Sequence, residues 1–400
     1  MDNNKIRPFI FGALVGVIIT IIIGLSYTGI AKIVDMATKD GEYESLEDKF
    51  NEINEVLDSR YYEAFEEELL YEGAIEGYVD GIGDPYTRYY TKEEYQSFLE
   101  DTTGSYDGIG VVVSYGEDGE SIIVVSPFSG SPGELAGMLP GDRILEVNNT
   151  DVTGMDLEEV VDIIKGPKGT QVVISIYRPS TSEMLDIEIT RENIDVPTVA
   201  YEMLDNDIGY IELSGFQVVT DQQFFEAYNA LEAEGQEGMI IDLRNNPGGS
   251  VYVVGAISDL LLPEGLIVYT EDKAGKRSEL TSDEEHQFTK PLVILVNENS
   301  ASASEILAGA VKDHGIGTII GTTTFGKGLV QGIEELEDGS AIKVTISKYF
   351  TPSGNYIHGI GIEPDIYVEL PEDYKNKLYV DREHDTQLQK ALEVINDELK

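Results

Sequence analysis

The stretch Pro291–Gln331, PLVILVNENSASASEILAGAVKDHGIGTIIGTTTFGKGLVQ, constrains this chain more than any other. Pro291–Val296 is a short apolar run of strand length, and the segment that follows opens on small hydroxylated residues before a helical pattern. In that pattern Ile306, Leu307, Ala310 and Val311 share one face, and Gly315 marks a helix stop. A second apolar run, Thr318–Gly321, leads into a glycine-flanked lysine, Gly326-Lys327-Gly328. The layout is strand, serine at a turn, helix, strand, lysine in a tight loop. It demands an α/β sheet and brings the parts of a serine/lysine pair close together in sequence.

The 400 residues exceed one ordinary core, and 41% hydrophobic content suffices for two or three domains. Lys+Arg 27 against Asp+Glu 75 leaves a net charge of −48, which repels nucleic acid, and no basic patch offsets it. Zero cysteines exclude disulfides, thiol nucleophiles and cysteine metal sites. The patterns HExxH, P-loop and GxGxxG are also missing, so neither a metal nor a cofactor is expected. Between Arg7 and Lys32 no charge interrupts the chain, and Phe9–Leu25 is nearly all apolar. Such a run can span the roughly 30 Å hydrocarbon layer, and the lysine and arginine before it place the N-terminus in the cytoplasm. The expectation is a retained single-pass anchor over residues 1–35, with the catalytic part extracytoplasmic at the cell membrane. A cleaved signal peptide is the competing reading.

Residues 36–103 read as an acidic helical region in which Phe50, Ile53, Val56 and Leu57 line one face, interrupted at Gly83-Asp84-Pro85-Tyr86. From residue 104 to about 183 the texture becomes short strands and turns, with a capped helix after Asp156 carrying Leu157, Val160, Val161 and Ile164. Residues 184–371 read as α/β, with strands at Ile208–Leu213 and Met239–Leu243 and a glycine-rich turn at Arg244–Gly249. The 372–400 tail ends in an amphipathic helix bearing Leu388, Ala391, Leu392 and Ile395.

A serine hydroxyl needs a base. His314 lies twelve positions after Ser302, about 18 Å along a continuous helix, which is too far to serve. His286 and His384 sit in charged segments, and His358 occupies a turn without an evident orienting carboxylate. Lysine can replace histidine where burial leaves it neutral, and Lys327 suits that role. Spacing alone leaves Ser300, Ser302 and Ser304 open as the nucleophile.

Residues 104–180, and above all GSPGELAGMLPGDRILEVN, resemble a PDZ domain of the bacterial protease type. That resemblance implies that a peptide C-terminus adds as a strand, its carboxylate on backbone N–H groups near Gly108, Ile109, Gly110 and Val111. The serine and lysine segments, together with LRNNPGG, YFTPSG, GIGIEPDI and GDPYTRYY, resemble the C-terminal processing peptidases, also called tail-specific proteases, the S41 family. The match covers most of the chain beyond residue 35. It implies an α/β, multidomain protein with a PDZ domain and a ClpP/crotonase-like serine protease core behind the transmembrane helix. It further implies Ser302 as nucleophile, Lys327 as general base, Gln331 holding the lysine amine, and an oxyanion hole from the N–H groups of Gly248 and Ala303. Protein substrates with accessible apolar C-termini, a homo-oligomer (a dimer through the helical N- and C-terminal parts) and gating by the PDZ domain complete what the family implies. The chain departs at Leu329, where the family commonly has threonine, and at His358, where it commonly has glutamine or another polar residue. The competing functional class is a scaffold that binds tails on a protease-like core without cutting them.

Overall fold

The structure, a computed structural model, describes residues 45–375 and 380–400. Of these, residues 45–71 belong to one compact unit and those from Glu72 onward to another. The first contains helix α1 (Leu46–Arg60), N-capped by the Ser45 hydroxyl, on which Leu46, Ile53 and Val56 are exposed. Helix α2 spans Glu67–Asp80.

In the larger unit, strand β1 (Arg88–Tyr90) and helix α3 (Lys92–Thr103) come first. A complete capping box between Thr91 and Glu94 starts α3 and Gly104 stops it. Then come β2 (Ser105–Gly108), β3 (Val111–Tyr115), β4 (Ile122–Pro127), a short α4 (Pro132–Leu135), β5 (Arg143–Val147) and β6 (Thr150–Asp151). Helix α5 (Leu157–Ile164), β7 (Gln171–Arg178) and β8 (Glu183–Thr190) complete a sheet in the order β3-β4-β5-β7-β8, with β6 on β5. This sheet runs through Thr190, past residue 183, because the turn at Arg178–Ser182 folds β8 back along the whole of β7. Its core is separate and holds Val124, Val147, Val160, Val172, Ile174 and Ile176. Strand β9 (Glu192–Asp195) returns to pair with β2.

Six later strands build a second large sheet in the order β10-β11-β12-β15-β16-β19: Val199–Leu204, Ile208–Leu213, Gly238–Asp242, Leu292–Val296, Thr318–Gly321 and Ile366–Tyr367. All pairs are parallel except β10 with β11. Parallel strands buried on both faces read as continuous apolar runs, which is why GMIID and LVILV are buried at every position. Helices α6 (Thr220–Glu234), α7 (Val251–Leu261) and α8 (Ala303–His314) cover one face. The C-terminal helix α9 (Thr386–Glu398) covers the other, burying Leu388, Ala391 and Ile395 against Ile240, Val293 and Ile320. An antiparallel sheet of β1, β18 (Ala341–Phe350), β13 (Gly265–Asp272) and β14 (Arg277–Ser282), with β17 (Leu329–Glu335) on β18, adjoins the β16–β17 loop.

The expected membrane-spanning helix lies outside the described residues, and among the described residues no helix is long and apolar enough to cross a membrane. The fold is therefore corrected to a mixed α/β core with a PDZ-like sheet and, among the described residues, without a transmembrane helix, and these residues give the single-pass membrane localisation no support. Its basis was the uncharged, apolar stretch after Lys5 and Arg7, all of it outside the described residues.

Candidate active site

Three loops at the carboxyl ends of β12, β15 and β16 converge, as ligand-binding loops do in open parallel sheets. Side-chain amides lace the first two together. Asn245 Oδ1 accepts from Asn297 Nδ2 at 2.9 Å and from Asn299 Nδ2 at 3.0 Å, and Asn297 Oδ1 accepts from Asn245 N–H at 2.9 Å. Buried Asn246 is the hub between them. Its carbonyl accepts from Ala301 N–H (3.0 Å) and Ser304 Oγ (2.9 Å), and its amide nitrogen donates to Leu213 O (2.8 Å).

The three serines of this loop differ in environment. Ser300 is fully buried, its hydroxyl donating to Leu243 O at 2.7 Å and accepting from Asn297 N–H at 2.9 Å. Ser304 is fully buried on Asn246 O. Ser302 is only half-buried, makes no side-chain cap bond and stands at the start of α8 with φ 55° and ψ −111°. A non-glycine residue there stores on the order of 1–3 kcal/mol of strain, held by the surrounding bonds. Tyr349 Oη donates to the Ser302 carbonyl at 3.1 Å, and the Ser302 N–H donates to Glu305 Oε2 at 2.9 Å.

Glu305 was not singled out by the sequence reading, yet it organises the site. Its carboxylate is fully buried at the amino end of α8, where the helix dipole favours negative charge. Oε2 accepts from both Ser302 N–H and Lys327 N–H, each at 2.9 Å. Oε1 accepts from Gly326 N–H at 2.7 Å and Thr324 Oγ1 at 2.6 Å. Four donors thus satisfy a charge that would be prohibitive alone. The signal available in the sequence was its place three residues after Ser302 in the first helical turn, a position ordinarily explained by capping.

The Lys327 ammonium lies over the Tyr86 ring at 4.9 Å, and no hydrogen bond among the described residues joins it to Ser302 or Gln331. Burial lowers it below the ordinary lysine value, the like charge of Lys343 lowers it further, and Glu305 opposes the shift. Lys343, also absent from the sequence reading, donates to Tyr90 Oη at 2.7 Å. Gln331 sits on β17 with its Nε2 buried and unpartnered. Gly248, at φ 102°, approaches the serine so closely that a Cβ there would fall 2.8 Å from Ser302 Cβ and 2.9 Å from Ala303 N. Its own N–H is donated to Asn246 Oδ1 at 2.8 Å. Ala303 N–H, the first of α8, has no intrahelical acceptor. His314 is held at the far end of α8, its Nε2 2.8 Å from Leu266 O.

Away from this centre, Gly108 ends β2, and buried Ile109 and Gly110 lead into Val111 at the start of β3, an edge strand of its sheet. Beside that edge lies a cavity of about 50 Å³ lined by Ile109, Val111, Val113, Val161, Ile164 and Lys165, among others. Among the described residues no cluster of His, Asp or Glu could hold a metal ion.

Comparison with known proteins supplies the remaining facts. Residues 207–368 match the model of peptidase family S41, residues 123–178 a PDZ domain, and residues 27–94 an activating protease CtpB N-terminal domain. The carboxy-terminal processing protease CtpA of Bacillus subtilis (strain 168) is 41% identical over 335 residues, 84% of this chain and 71% of that protein. CtpB of the same organism is 38% identical over 340 residues, 84% of this chain and 70% of that protein. Among solved structures, a photosystem II D1 C-terminal processing protease is 31% identical, covers 84% of this chain and 89% of its own, and superposes with a TM-score of 0.48.

Proposed function

This chain belongs to peptidase family S41 as a PDZ-containing carboxy-terminal processing protease, a serine-type peptidase acting on proteins, and from that premise we propose that Ser302 and Lys327 are its catalytic dyad. The observation that carries the proposal is the Glu305 carboxylate, whose Oε2 holds the backbone N–H groups of both residues. The burial of Ser300 and Ser304 as struts supports Ser302 as the nucleophile.

In the cycle, the Lys327 side chain leaves the Tyr86 ring and its neutral amine takes the Ser302 proton as Oγ attacks the scissile carbonyl carbon. The tetrahedral oxyanion is received by Ala303 N–H and by Gly248 N–H, which must exchange its bond to Asn246 for it. Lys327 then protonates the departing amine, leaving an acyl-enzyme. A water attacks the ester as Lys327 takes its proton, and return of that proton to Ser302 Oγ releases the carboxylate product. Gln331, with an unpartnered buried Nε2, is the group proposed to hold the amine in its working position.

The substrate tail is proposed to add along the open edge of β3, its carboxylate near Gly108–Val111 and its apolar end in the adjoining cavity. The exposed stripe of α1 supports proposing a homodimer through the N-terminal part, whereas α9 spends its apolar face on its own sheet. The test is hydrolysis of an unfolded protein with an apolar C-terminus, together with labelling by a serine-reactive fluorophosphonate. Wild type should cut and label, and both Ser302→Ala and Lys327→Ala should not cut. Equal cutting by wild type and Ser302→Ala sinks the dyad, and a wild type that binds tails but neither cuts nor labels is the scaffold.

A further inference from the structure

The lysine loop presents three consecutive backbone N–H groups, and each meets a side-chain acceptor. Glu305 takes those of Gly326 and Lys327, and Nδ1 of His358 takes that of Gly328 at 3.4 Å. The turn that carries His358 closes on the same loop from the opposite side. Gly359 N–H donates to Gly326 O at 2.8 Å, and a Cβ on Gly328 would lie 2.9 Å from the His358 backbone nitrogen and 3.1 Å from its Cβ. One carboxylate and one imidazole thus hold the N–H groups of a loop whose carbonyls at Gly326 and Gly328 accept from Gly359 N–H and Tyr349 N–H.

A nitrogen that accepts must keep its lone pair, so this contact is made only by the neutral ring with its proton on Nε2. The ring is flanked by Tyr86 at 6.3 Å and by Tyr356 at 5.9 Å, between centroids. The charges facing it are Asp84, which senses the imidazole charge, Lys327 on the other side of Tyr86, and Lys348, which lies 5.3 Å from the Tyr356 ring. Two cations and one carboxylate thus surround a ring whose state decides whether Gly328 N–H has a partner.

We infer that His358 is a positioning residue for the Lys327 base, holding the Gly328 end of its loop only while the imidazole is neutral, so that proteolysis carries an acid-side cut-off separate from that of Lys327. Protonation at Nδ1 turns the acceptor into a donor facing another donor and adds a cation beside the loop. The Gly328 bond breaks and the base loses its register. The sign follows: the grip is intact above the imidazole titration and lost as pH falls through it.

This inference rests on Lys327 as the base, and the experiment separates the two. The full chain is assayed for kcat/KM on an unstructured peptide from pH 5 to 10 as wild type, His358→Gln and His358→Phe. A single proton lost from Lys327 gives a slope of about one on the acid side of a log plot, and a second titrating group adds about one more. Wild type should steepen to a slope of about two at the acid end. His358→Gln, whose Oε1 accepts without titrating, should restore most of the rate yet keep a slope of about one, while His358→Phe should lose roughly tenfold or more at pH 8. The same steepening in His358→Gln, or a wild-type rate for His358→Phe, overturns the inference. If His358→Phe fails to fold by circular dichroism, the slope of His358→Gln decides. Undiminished activity of Lys327→Ala is a different failure, that of the dyad itself.

Discussion

The serine loop and the lysine loop lie at the ends of adjacent parallel strands, but they are prepared to different degrees. Ser302 is fixed at its N–H by Glu305 and at its carbonyl by Tyr349, and its neighbours Ser300 and Ser304 are buried struts. The lysine loop is fixed through its backbone and the Thr324 hydroxyl, but not through the Lys327 side chain. Its functional end rests on an aromatic ring, and the nearby Gln331 amide has no partner. The proposed nucleophile is preorganised at the expense of backbone strain, while the proposed base rests on the Tyr86 ring without a hydrogen bond to it. In such an arrangement activity can be regulated through the lysine without disturbing the serine.

Substitutions can break or sharpen this contrast. The largest effect belongs to Ser302→Ala: a loss of roughly 10⁴-fold or more in kcat, with unfolding by urea unchanged within about 0.5 kcal/mol, because its hydroxyl makes no cap bond. Glu305→Ala should combine a loss of about 10²–10³-fold in turnover with about 3–5 kcal/mol of destabilisation, since it strips four buried donors of their acceptor. Normal stability in that variant contradicts its place as the shared anchor. Lys343→Met removes a like charge that lowers Lys327, so the ammonium becomes more favourable. The acid limb of the pH–rate profile should then move to higher pH and the rate at pH 7 should fall several-fold; an unmoved limb refutes the coupling. The smallest effect is expected for Tyr86→Leu. Removing a cation–π contact of about 0.5–1 kcal/mol from the resting lysine should raise kcat/KM by roughly twofold to fivefold at pH 7. A lower value would mean that the ring helps to position the base.

Much of this was legible without coordinates because the sequence signals are local. Continuous apolar runs such as LVILV announce strands buried on both faces, and Gly315 announces the end of α8. The distance that removes His314 from consideration follows from helical rise, and its ring is indeed engaged at the far end of that helix. The anchor reading used the same kind of local signal over residues that the structure does not describe, and no helix among the described residues supports it.

The sequence by itself determined the strand, serine, helix, strand, lysine order, because hydrophobic period and turn residues act within a few positions of themselves. It left three serines equivalent, since SASAS has no local asymmetry. Only the tertiary structure separated them, by burying Ser300 on Leu243 O and Ser304 on Asn246 O and leaving Ser302 half-exposed. Tertiary structure likewise decided the roles of Glu305, Lys343 and His358. Each meets Lys327 or its loop from 16 to 30 residues away in the chain. Such partnerships depend on which loops the parallel sheet gathers at its carboxyl edge, and that is a property of strand order, which no single stretch of sequence encodes.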